Sequence, residues 1–76
     1  MTPFDRITQQ PDVMGGKACI RGMRVTVGMI MGQIGAGRSI EEILADYPYL
    51  EREDVLQAAR YAAWLAEERE VLIANA

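Results

Sequence analysis

Val27, Ile30, Met31 and Ile34 stand at i, i+3, i+4 and i+7, and after Gly35-Ala36-Gly37 the same spacing returns at Ile40, Ile43, Leu44 and Tyr47. Each set lines one face of an α-helix, so two short amphipathic helices follow one another across a glycine-rich break. This tandem constrains the fold more than any other feature. Neither helix is long enough to stand alone, and both stripes need a third apolar surface. Thr26 is placed to cap the first helix, and Gly35-Ala36-Gly37 to end it. Ser39 with Glu42 carries a capping-box signature for the second, which Pro48 stops because the residue before a proline avoids the α region. Gly28 and Gly32 sit four apart inside the first helix. Each costs about 1 kcal/mol against alanine, which predicts close approach of another backbone.

The third surface follows at once. Glu51, Glu53 and Asp54 suit the positive end of a helix dipole, and Val55, Ala58, Ala59, Ala62, Leu65 and Ala66 continue as a core stripe. Leu56, Tyr61 and Trp64 fall off that stripe. Glu67-Glu68-Arg69-Glu70 then leads to Val71-Leu72-Ile73, an apolar patch that three helices need not cover. Its contiguity favours a docking partner over a frayed end. Ahead of the helices, Phe4–Thr8 and Ala18–Arg21 read as short strands around a Gly15-Gly16 turn, with Gly22 supplying a position of positive φ. The expected architecture is one mainly α domain over 1–76. Short strands and a turn occupy 1–25, a three-helix core 26–66, and a C-terminal helix extension or tail 67–76.

Seventy-six residues, half of them apolar, can bury a single small core, and oligomerisation would help to complete it. Cys19 has no partner for a disulfide, no apolar run is long enough to span a membrane, and Met1–Arg6 lacks the blocks of a signal peptide. A soluble, cytoplasmic protein is expected. Enzyme chemistry is poorly supplied. Histidine is absent, the lone thiol has no imidazole to activate it, and the carboxylates mostly fall where they would decorate helix surfaces. No metal site and no cofactor are expected. A phosphate-binding loop also fails, since Lys17 is followed by Ala18 and no glycine precedes it at the required spacing. These features favour a binding module.

Charge divides the chain. Residues 1–38 carry a balance of +3 and residues 39–76 a balance of −6, which suggests two surfaces with different partners. Two amphipathic helices joined by a short turn, after a first helix, trace the outline of a helix-turn-helix DNA-binding domain. A recognition helix opening with Glu51, Glu53 and Asp54 would repel phosphates. The candidate DNA contacts are therefore Lys17, Arg21, Arg24 and Arg38, with hydrogen bonds to local carbonyls as the plainer role for Arg21 and Arg24.

The ordered string is specific enough for a family. Gly15, Gly16, Lys17, Ile20, Arg21, Gly22 and Arg24 form a first motif, and Gly37, Ser39, Ile40, Glu42, Ile43, Leu44, Tyr47 and Pro48 a second. Together, from about Ile7 to Ala62, the chain resembles the bacterial domain-of-unknown-function family 433. Members of that family look like antitoxins encoded beside PIN-like ribonuclease toxins. Met23 and Thr26 depart from the family's usual threonine and proline, and Glu51 replaces a threonine that would cap the third helix.

The resemblance implies a homeodomain-like three-helix bundle preceded by short strands. It also implies a type II antitoxin that neutralises a PIN-like nuclease, dimerises and represses its own operator. An arginine entering the acidic, metal-binding cleft of such a nuclease would compete with Mg²⁺ for its carboxylates. Arg69, flanked by Leu65, Leu72 and Ile73, is the first candidate and Arg60 the second, with Tyr61 and Trp64 as aromatic anchors. The alternatives are a stand-alone DNA-binding regulator and a structural dimerisation module.

Overall fold

A computed structural model describes residues 4–68. In chain order these form β1 (Ile7–Thr8), a 3-10 turn at Met14–Gly16, β2 (Cys19–Ile20), α1 (Val27–Gly35), α2 (Ile40–Asp46) and α3 (Arg52–Glu68). The strands are antiparallel, with Ile7 opposite Ile20 and Thr8 opposite Cys19. The fold is the mainly helical one expected. The strands are shorter than the sequence predicts, because positive-φ turns close in on both sides of β2.

The turn after β2 is the more demanding one. Arg21 (φ 46°) and Gly22 (φ 72°) are both left-handed, and Met23 N–H donates to Ile20 O at 2.8 Å. Two consecutive positive-φ residues closed by this bond make a type I′ turn. Gly22 occupies it freely, whereas Arg21 does so at about 1–2 kcal/mol. The turn sends Val25 back to accept from Ile20 N–H at 2.9 Å and delivers Thr26 to the head of α1.

There the capping expectations hold. Thr26 Oγ1 accepts from Met29 N–H at 3.0 Å. Ser39 and Glu42 form the full capping box, at 3.1 Å and 2.8 Å. The core is Ile20, Val25, Val27, Ile30, Ile43, Leu50, Val55, Ala58 and Tyr61.

Two sequence readings need correction. A Cβ on Gly28 would meet only Thr26 Oγ1 at 3.8 Å, and one on Gly32 would meet nothing within 4 Å. No described backbone approaches these glycines closely. On α3 the buried face runs through Asp54, Val55, Gln57, Ala58 and Tyr61, while Ala59 and Ala66 point to solvent. Tyr61 belongs to the core because Phe4, from the N-terminal segment, packs edge-on against it.

Candidate partner-binding groove

Asp54 anchors the N-terminal segment and thereby shapes the groove beside it. Its side chain is fully buried, although it opens a helix. Oδ1 accepts from Arg6 Nη1 at 2.8 Å and from Arg21 Nε at 3.1 Å, and Oδ2 accepts from Arg21 Nη2 at 2.8 Å. Oδ2 also accepts from Glu51 N–H at 2.8 Å, the back-reaching arm of a capping box. Burial pushes the Asp54 carboxyl up, but Arg21, the Glu51 N–H and Arg6 outweigh it and hold the carboxyl at about 2. Arg6 is raised in turn by its bonds to Glu51 and Asp54, and Arg21 by its bond to Asp54. Gln57 completes the clamp, accepting from Arg6 N–H at 2.5 Å and donating to Asp5 at 2.9 Å. Asp54 is thus no surface decoration but the charge that ties β1, the β2 turn and α3 together.

With Arg6 fixed, Phe4 is carried onto α3. Its ring lies 5.3 Å from Tyr61, at 89°, and 5.8 Å from Trp64, and Tyr61 and Trp64 are themselves 5.8 Å apart. Beside this trio an open groove of about 990 Å³ runs between the first turns of α1 and the second half of α3. Val27, Met29 and Met31 form one wall, Tyr61, Ala62, Trp64 and Leu65 the other, and Gln9, Lys17 and Ala18 close an end. Trp64 remains 43% exposed and Met29 39% exposed. Large flexible and aromatic apolar side chains around one open groove are the composition of a protein-docking site.

The residues expected to contact a partner divide accordingly. Tyr61, Trp64 and Leu65 line the groove. Arg60 is exposed and bridged to Glu53 at 2.5 Å, away from the lining. Arg69, Leu72 and Ile73 lie outside the described residues. The α1 wall, Met29 above all, was missed, although its place off the buried stripe of α1 is visible in the sequence.

The four candidate DNA contacts have separate surroundings. Lys17 lies at the groove, and Arg24 lines a smaller hollow of about 400 Å³ with Met23 and Tyr49. Arg21 is committed to Asp54 and to Tyr49 O, and Arg38 bonds Asp46 and Gln33. Arg21 is thus held chiefly by Asp54, 33 positions away, rather than by local carbonyls. Among the described residues, Lys17 and Arg24 are the cations without an ion pair. No described helix is long and apolar enough to cross a membrane, and no described group of three metal-ligating side chains is gathered.

Known proteins are similar to this chain in sequence and in fold. The chain is 38% identical over 56 residues to the uncharacterized protein y4eO of Sinorhizobium fredii (strain NBRC 101917 / NGR234), which covers 74% of this chain and 25% of that protein. It thus spans about a quarter of the length of that curated relative. A crystal structure of a DUF433 member protein from Anabaena variabilis ATCC 29413 is similar with a TM-score of 0.77 and 35% identity, covering 83% of this chain and 62% of that one. The family described as "Protein of unknown function (DUF433)" matches residues 7–62, which include the Arg21–Asp54 pair and most of the groove. On that match the chain belongs to the DUF433 family.

Proposed function

We propose that this chain is a type II antitoxin that neutralises a PIN-like ribonuclease by direct protein–protein contact in the cytoplasm. The observation that carries the proposal is the open apolar groove with Trp64 and Met29 exposed at its walls. A partner seated there gains a Trp64 anchor and methionine contacts that can adapt to its shape. The protein would bind and block rather than catalyse.

Inhibition would come from an arginine outside the groove lining. A nuclease cleft that holds Mg²⁺ through carboxylates also accepts a guanidinium, which forms paired hydrogen bonds to them. Arg60 would leave Glu53 to do this, and an exposed pair of that kind holds it by only about 0–1 kcal/mol. Arg69 would follow from the C-terminal residues. Repression of the operon by a homodimer is a further expected role. Lys17 and Arg24 would then supply phosphate contacts, and binding would weaken steeply with salt.

Co-expression with the proposed PIN-like nuclease partner tests the proposal. The full chain should restore growth, and a chain ending after Ala63, which lacks Trp64 and Leu65, should not. Full neutralisation by the shortened chain would contradict it. A stand-alone DNA-binding regulator is favoured instead if the chain binds its promoter specifically at low salt and leaves the nuclease active.

A further inference from the structure

We propose that the hollow between the β2 turn and Tyr49 binds an unpaired nucleotide of a single-stranded nucleic acid, its base against the Tyr49 ring and its phosphate on Arg24. The hollow measures about 400 Å³ and is lined by Gly22, Met23, Arg24, Val25 and Tyr49, none of which lines the groove. Tyr49 is 53% exposed, and Tyr47 meets it edge-on, with ring centroids 6.2 Å apart at 74°. An exposed ring braced by a second ring is a stacking platform, and it takes any base because every base has a π-face. A duplex keeps its bases stacked on one another, so the ligand is a nucleotide whose base is free.

Charge supplies the second contact. Arg24 is exposed, touches the Met14 sulfur at 3.9 Å and, among the described residues, has no ion-pair partner. A guanidinium left open in this way accepts a phosphate through paired hydrogen bonds. Lys17 follows the same turn, its N–H donating to Met14 O at 3.3 Å, and it too lacks a described ion pair. Two such cations beside one turn suit a ligand that repeats its phosphates, which a phosphorylated peptide does not. The acids nearest Tyr49 in sequence do not oppose it. Glu51 is bridged to Arg6 at 2.7 Å, and Asp54 is buried between Arg6 and Arg21. The site is also built in advance of the ligand. Arg21 Nη2 donates to Tyr49 O at 3.1 Å, so the residue that anchors the β2 turn on Asp54 also fixes Tyr49 relative to Arg24.

Fluorescence anisotropy tests the site on the full chain at low salt, with labelled single strands of deoxythymidine and of uridine, each about 10 nucleotides long. Binding of either strand is expected, and the tighter one identifies the sugar. Tyr49→Ala should weaken it roughly tenfold, whereas Tyr49→Phe, which keeps the ring, should leave it unchanged. Arg24→Ala should weaken it as well and flatten the slope of log K against log salt by about 0.7, the value of one phosphate contact. Far-UV circular dichroism confirms that each variant folds. Binding of neither strand, or equal binding by the wild type and Tyr49→Ala, overturns the proposal. A duplex of the same length bound as tightly as the single strands overturns it too, as does a phosphotyrosine peptide bound more tightly. None of these titrations contains a nuclease, so they succeed or fail separately from the antitoxin proposal.

Discussion

Arg21 lays its guanidinium against the buried carboxylate of Asp54, Nη2 to Oδ2 at 2.8 Å and Nε to Oδ1 at 3.1 Å, from a backbone position with φ 46°. The pair links the turn after β2 to the head of α3. A left-handed arginine persists there because its N–H donates to Arg6 O at 2.8 Å while its side chain is held by the carboxylate. Arg6 approaches the same carboxylate, so one negative charge serves two cations from different parts of the chain.

Removing that charge should therefore be severe. Asp54→Asn leaves two guanidinium groups without their shared counter-charge and is expected to cost about 3 kcal/mol, read as a lower urea midpoint. Arg21→Lys keeps the charge but loses the two-pronged geometry, and should cost about 1 kcal/mol. An Asp54→Asn protein as stable as the wild type would show that the network contributes nothing.

Acid should act through the same carboxyl. Asp54 sits at about 2 in the folded protein, below the ordinary carboxylate value of about 3.9. A depressed carboxyl stabilises the fold fully above its unfolded value. That contribution is lost as pH falls from about 5, through 4, towards 2. Urea midpoints measured across this range should fall for the wild type, and Asp54→Asn should flatten the part of the slope due to this group.

The glycines of α1 make an opposite prediction. A Cβ at Gly32 has open space around it, and the helix geometry there is ordinary. Gly32→Ala should raise stability by about 0.5–1 kcal/mol in thermal melts of the isolated protein. A loss of stability would mean that another chain packs on this face.

What could be read in advance follows the range of each interaction. Thr26, Ser39 and Glu42 cap helices through bonds to residues three positions away, so short strings were enough to place them. The two apolar stripes were legible for the same reason, although Ile34 stays 39% exposed. Asp54 was misread because nothing near it in sequence distinguishes it from Glu53; its partners are 33 and 48 positions away. Trp64 lies off the buried stripe as its spacing indicates, whereas Tyr61, read the same way, is in the core; the groove also needs Met29 and Lys17, and only the packing of α1 on α3 and the Val27 N–H bond to Ala18 O bring these together. Close packing at Gly28 and Gly32 was inferred from helix propensity alone, and the described structure leaves that face open.

The proposed use of the groove as a partner-binding face is tested most directly by calorimetric titration of a PIN-like nuclease, the proposed partner, with the wild type and with Trp64→Ala. A central aromatic anchor carries about 2 kcal/mol or more, so the variant should bind roughly 30-fold more weakly. Its melting temperature should change little, since the indole is 43% exposed. Equal affinity of the two proteins for the nuclease, or no binding by either, would contradict the account.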